Sequence, residues 1–149
     1  MSTRAWMLLG VVSLAASCRV VSTEADPSPN TARDRWTSNH PASYDFTMRR
    51  LCFCPAEFTN PVIVAVRNGV VESRRYESSG QPLPANYAQS FPTIDGLWEI
   101  VDDAARRNAA KLDVTYDPVL GYPTRIDIDY DTRLADEEVT IVVTRFAPR

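Results

Sequence analysis

The fold of this chain is decided by residues 62–76, VIVAVRNGVVESRRY. Asn68-Gly69 supplies the two positive φ angles that a type I′ turn needs, and β-branched residues flank it on both sides. The stretch therefore predicts an antiparallel hairpin closed by a two-residue turn. Its predicted cross-strand neighbours are Val66 with Val71 and Val64 with Ser73.

Other parts of the chain also alternate apolar and polar residues, which is typical of strands with one buried face. These stretches are residues 44–54, 112–117, 125–130 and 139–146. Between the first three strands and the last three, residues 94–105 repeat apolar side chains at helical spacing, with Thr93 placed to cap the helix. On the polar side of that helix, two ion pairs are expected at i,i+4, Asp102–Arg106 and Asp103–Arg107.

These elements predict an α+β domain. Its antiparallel sheet has about six strands in the order β-β-β-α-β-β-β, and one amphipathic helix packs on one face. A short additional helix is expected at the N-terminal edge, over residues 32–38 around Trp36.

The N-terminus carries targeting information. Arg4 precedes a short uncharged apolar stretch, residues 5–17, which is too short to span a bilayer and is typical of an export signal. Residues 14–18, LAASC, resemble the lipobox of bacterial lipoproteins. That resemblance implies lipidation of Cys18 and cleavage before it; a plain secretory signal and an uncleaved anchor are the alternatives.

Three segments follow from this interpretation: a signal peptide over 1–17, a lipid-anchored flexible tether over 18–41, and a single α+β domain over 42–149. The tether prediction rests on residues 22–31, which include no large apolar residue and so cannot bury enough surface to order themselves. The expected location is the bacterial cell envelope, with the membrane as a partner through the lipid. Arg19 after the anchor, by analogy with enterobacterial sorting, permits delivery to an outer membrane.

Composition narrows the function. The formal net charge of -3 argues against a nucleic-acid partner, because such proteins carry a basic excess. His40 is the only histidine, and the chain has no glycine-rich phosphate loop, nucleophile elbow or HExxH motif. We therefore expect no enzyme activity, no cofactor and no metal site.

A second resemblance covers about residues 44–146. The residues that carry it are Tyr44-Asp45-Phe46, Cys52-Phe53-Cys54, residues 61–70, residues 93–98, Tyr116-Asp117-Pro118, residues 121–124 and Asp136-Glu137-Glu138. The succession resembles domain of unknown function 6174, a family of small exported bacterial proteins, many with lipoprotein signals. The resemblance implies a fold and a compartment, and it supplies no mechanism.

Cys52 and Cys54 are the first candidate site. On an uninterrupted strand they would lie side by side, and an exported protein meets oxidising conditions that favour a disulfide. A structural bridge is the preferred interpretation; a redox-active pair and buried or metal-binding thiols are the alternatives.

Two further groups of residues are candidate sites. Trp98, Tyr116 and Tyr122 would face a ligand if they lined one concavity, although burial in the core is the preferred interpretation. Asp127, Asp129 and Asp131 resemble part of a calcium loop, but position six is Thr132 instead of glycine, and strand alternation explains them as a solvent face.

The sequence leaves three functional hypotheses. The first is a non-catalytic binding or structural module of the cell envelope, with an envelope protein or small ligand as its partner. The second is an envelope thiol–disulfide protein that uses Cys52 and Cys54. The third is an inhibitor or ligand-binding module that uses the exposed sheet face or residues 78–92.

Overall fold

The computed structural model describes residues 27–134 and 136–149. Six strands form one antiparallel sheet in the spatial order β3-β2-β1-β6-β5-β4. The strands are β1 (Tyr44–Leu51), β2 (Val62–Arg67), β3 (Val70–Tyr76), β4 (Lys111–Tyr116), β5 (Pro123–Asp129) and β6 (Val139–Pro148). The helices are α1 (Pro29–Asn39), α2 (Ala56–Thr59) and α3 (Ile94–Arg106), with a 3-10 helix at Ala85–Ser90. The mixed α+β class and the six-stranded antiparallel sheet are confirmed, and the structure has more helical segments than the sequence predicted.

The hairpin of β2 and β3 forms as predicted at its turn. Asn68 and Gly69 have φ angles of 50° and 77°, and Val66 lies opposite Val71. The predicted pairing of Val64 with Ser73 is wrong, because a bulge shifts the register and places Arg74 opposite Val64. An extra residue on β3 turns the following side chains over to the other face of the sheet.

Helix α3 begins and packs as the sequence indicates. The Thr93 side chain accepts a hydrogen bond from the Gly96 N–H at 3.1 Å, which satisfies one of the free donors of the first turn. The apolar face is buried against the sheet; its buried members are Ile94, Leu97, Trp98, Val101 and Ala104. The helix therefore covers one face of the sheet and forms half of the helical layer.

Helix α1 forms the other half of that layer. The helix predicted around Trp36 is present and is longer than residues 32–38: it runs over Pro29–Asn39 and is capped by Ser28. It takes the place of the end of the flexible tether predicted over residues 18–41. Ala32 and Trp36, one turn apart, are 0% and 2% exposed and belong to the core. Two apolar residues on one helical face are enough to order the segment, so the folded domain begins well before the predicted boundary at 42. The rest of that tether and the signal peptide lie outside the described residues.

The turn between β4 and β5 holds α1 in place. Gly121 has a φ of 83°, and a Cβ at this position would overlap the carbonyl group of Ala32. The Arg35 guanidinium also donates a hydrogen bond to the Pro118 carbonyl. Glycine is required here both for its backbone conformation and for the close approach of the helix.

The two edges of the sheet differ. A segment after β3 covers the C-terminal end of the β3 edge, through a bridge between Arg75 and Pro82 and a hydrogen bond from the Leu83 N–H to the Arg74 carbonyl at 2.9 Å. The outer edge of β4 pairs with no strand of the described chain. Among the described residues, no helix has both the length and the hydrophobicity of a membrane-spanning segment.

We expect Gly121→Ala to lower the free energy of unfolding by about 2–5 kcal/mol. A left-handed backbone costs an alanine about 1–2 kcal/mol, and the overlap with Ala32 adds about 1–3 kcal/mol. Urea-induced unfolding measures the change. Gly80→Ala is the matched control, because its φ is 68° but the added Cβ meets open space, so only the backbone cost applies. An equal decrease in the free energy of unfolding in the two variants would show that close packing of α1 against Gly121 does not contribute to stability.

Candidate functional site

A groove of about 510 Å³ lies between α1, α3 and β4. Alternate residues of β4 and the buried face of α3 form its apolar walls, and α1 supplies a polar rim. Its lining residues are Pro29, Asn30, Arg33, Trp98, Val101, Asp102, Ala105, Leu112, Asp113, Val114 and Tyr116.

Two stacked aromatic rings form one wall of the groove. The ring centres of Trp98 and Tyr116 are 5.1 Å apart and the planes meet at 13°. Both residues are 4% exposed, and burial raises the pKa of Tyr116. The Trp98 Nε1 is buried without a hydrogen-bond partner among the described residues. An unpaired buried N–H costs free energy, so this wall has one unsatisfied donor.

An ion pair between the two helices forms the rim. The Arg33 Nη2 lies 2.6 Å from the Asp102 Oδ1, and the guanidinium carbon lies 4.4 Å from the centre of the Trp98 ring. The expected Asp102–Arg106 pair is therefore wrong, whereas Asp103 does approach Arg107 (3.6 Å) and also Arg106 (3.1 Å). The side chain of Asp102 faces α1, so it pairs with Arg33 of that helix instead of with Arg106 in the next turn of α3.

Only two of the three predicted aromatic residues lie at this groove. Tyr122 packs elsewhere, with its ring centre 4.7 Å from that of Phe146 and 6.2 Å from that of Trp36. The interpretation that Trp98, Tyr116 and Tyr122 line one concavity is wrong for Tyr122, because β5 begins at Pro123 and carries Tyr122 under α1. Whether Trp98 and Tyr116 contact a ligand stays a prediction.

The two cysteines of the domain are joined by a disulfide. They do not lie on a strand, because β1 ends at Leu51 and the following residues bend. The side-by-side arrangement with the buried face of β1 is therefore wrong, although the bond itself is present. Cys18, the predicted lipidation site, lies outside the described residues.

The acidic residues of β5 and the turn after it are engaged by neighbouring groups. Asp127 accepts hydrogen bonds from Arg125 at 2.6 and 2.7 Å, and Asp131 accepts from Arg133 at 2.8 and 2.9 Å. Asp129 is 7% exposed and accepts from the Asp131 N–H, so it is not part of a solvent face. The hydrogen bonds from Arg125 hold the pKa of Asp127 below its usual range. No cluster of three or more His, Cys, Asp or Glu suited to a metal ion occurs in the described ranges.

His40 has a local structural role. It follows the last residue of α1, its Nδ1 lies 2.9 Å from the Trp36 carbonyl oxygen, and its ring stacks on the Trp36 ring with centres 5.2 Å apart. These contacts explain His40 as a structural residue that ends α1 and covers the core tryptophan.

We expect the Tyr122 hydroxyl to remain protonated until about pH 12. Burial, followed by the negative charge of Asp117, raises its pKa from 10.0 to about 12. The folded state thus favours the neutral form, so this contribution to stability is complete below pH 10 and is lost as the pH rises through about 12. Phenolate absorbance and urea unfolding across this range measure both effects.

Tyr122→Phe should remove one late-ionising phenol and flatten the alkaline fall in stability. Tyr44 provides a second such phenol, because burial raises its pKa to about 12 as well. Ionisation of every tyrosine near pH 10 in the folded protein would contradict the packing described for these two residues.

Comparison with known proteins identifies a family. A family model described as "Family of unknown function (DUF6174)" matches residues 28–148. The match begins at the start of α1, which agrees with the place of this helix in the core. No curated protein and no solved structure gave a match. The chain belongs to the family of unknown function DUF6174.

Proposed function

We propose that this protein is a lipoprotein of the bacterial cell envelope, anchored through Cys18, and that its domain is a non-catalytic binding module. The groove between α1, α3 and β4 is the observation that carries the binding role. Concave sites with apolar walls and a few polar groups are the usual places where proteins bind other molecules.

The shape of the groove suits a ligand with an apolar body. Val101 of α3 and Leu112 and Val114 of β4 offer aliphatic surface, and the Trp98–Tyr116 stack closes the wall beside them. Arg33 and Asp102 neutralise each other at 2.6 Å, so the rim provides hydrogen bonds without a strong net charge. A ligand that places polar groups against this rim and apolar groups on β4 would satisfy both parts of the site.

Two residues that line the groove lie close in sequence to the proposed anchor at Cys18. Pro29 and Asn30 line the groove, and Pro29 follows Cys18 by 11 positions in the sequence. An extended chain advances at most about 3.5 Å per residue, so a lipidated Cys18 would hold the groove within about 40 Å of the membrane. This reach favours ligands that are themselves in the membrane or at its surface.

A photo-crosslinking amino acid tests the binding role in cells that carry the full-length protein. We expect a probe at Ala105, which is exposed and lines the groove, to give a discrete crosslinked product. Thr115 is the matched control position, because it is exposed on the opposite face of β4 from Val114 and Tyr116. The same product from both positions, or none from Ala105, would count against the groove.

Fractionation of cells tests the anchor. We expect the wild-type protein to remain with membranes until detergent is added, because several acyl chains bind a bilayer almost permanently. Cys18→Ser should move the protein out of the membrane fraction. Cys54→Ser is the matched control and should stay with the membranes. A Cys18→Ser protein that is unlipidated and still bound to membranes would overturn the anchoring proposal.

A further inference from the structure

The disulfide between Cys52 and Cys54 lies at the surface and outside the core. It follows the last residue of β1, and neither cysteine belongs to the cluster of buried residues. Cys52 is half-buried and Cys54 is exposed. One of the two sulfur-bearing residues is thus open to an approaching molecule.

This bond contributes little to holding the fold together. A disulfide stabilises a protein mainly by closing a loop of the unfolded chain, and the effect falls as the loop becomes shorter. Here the loop contains only Phe53. The same bend is also held by a hydrogen bond from the Cys54 N–H to the Cys52 carbonyl at 2.9 Å. We therefore expect the domain to stay folded when the bond is opened.

The surroundings of Cys54 suit an approaching thiol. A cavity of about 200 Å³ lies beside it, lined by Phe53, Cys54 and Pro55. Phe53 is 83% exposed, more than any other large apolar side chain of the described residues. An exposed aromatic ring next to a reactive bond gives a partner protein an apolar contact.

We propose that the Cys52–Cys54 pair is a thiol–disulfide exchange site for a dithiol protein of the envelope. This activity is additional to the binding role of the groove and uses none of its residues. The exposure of Cys54, the cavity beside it and the exposed Phe53 are the observations that carry it.

The exchange has two steps. A thiolate of the partner attacks the Cys54 sulfur, the bond between the two cysteines breaks, and Cys52 leaves as a thiolate that takes up a proton. The second thiolate of the partner then attacks the partner's first sulfur in the mixed disulfide. A disulfide forms within the partner, and Cys54 is released as a thiolate that also takes up a proton. The partner loses two electrons and two protons and gains a disulfide, while Cys52 and Cys54 gain them as thiols. A disulfide-bearing partner reverses the same steps.

The test uses the full-length protein in detergent, with reduced glutathione and reduced thioredoxin as probes. We expect both probes to open the bond while the midpoint of thermal unfolding stays unchanged. Acid quenching, alkylation and mass spectrometry follow the reaction. Cys52→Ser, which leaves Cys54 as the only thiol of the pair, should form a stable mixed disulfide with oxidised glutathione.

Two outcomes would overturn the proposal. One is a bond that stays closed in excess reduced glutathione and thioredoxin. The other is a bond that opens only together with unfolding, which would make it a structural staple. Phe53→Ala should slow exchange with thioredoxin several-fold, whereas Val119→Ala, which removes another exposed apolar side chain, should not. Equal rates in these two variants would exclude docking on Phe53.

Discussion

The packing of Trp36 is the interaction on which the rest of the domain depends. Its ring contacts Tyr44 and Phe146 of the two central strands, with centres 5.7 and 5.9 Å away. Its Nε1 donates a hydrogen bond to the Asp95 Oδ1 at 2.8 Å, in the first turn of α3. One side chain thus joins α1, α3 and the middle of the sheet. Without it, α1 would lose its place, and the groove would lose the rim that Arg33 provides.

Much of the fold could be predicted because it follows from local patterns. Alternation revealed the strands, Asn68-Gly69 revealed the hairpin, and Thr93 with the apolar residues after it revealed α3. The bulge that moved Arg74 opposite Val64 could not be seen in this way, since either register fits a run of β-branched residues. The length of helix α1 was underestimated for a related reason. Only two of its residues are buried, so its apolar periodicity is weak, and contacts with the rest of the domain stabilise it.

The candidate site depends on contacts that local patterns do not record. Arg33 and Asp102 are 69 positions apart, and no periodicity could have indicated their pairing. The sequence marked Trp98 and Tyr116 as candidate site residues because they are aromatic, but it marked Tyr122 in the same way. What separates them is the order of the strands, which places β4 at the edge beside the helices and Tyr122 under Trp36. The disulfide was predicted on the hypothesis that the protein is exported to an oxidising compartment, whereas the exposure of the bond depends on where β1 ends, at Leu51.

The unequal edges of the sheet set a limit on self-association. An uncovered strand edge is a template for another strand, and charged residues such as Lys111 and Asp113 on β4 make that pairing less favourable without removing it. If two copies joined through β4, each would turn its β3 edge outward, where residues 81–83 already occupy the end beside Arg74–Tyr76. A growing fibre needs two open templates on every unit, and among the described residues only the β4 edge is open along its whole length. Edge-to-edge assembly of the described domain is therefore expected to favour a closed pair over a growing fibre.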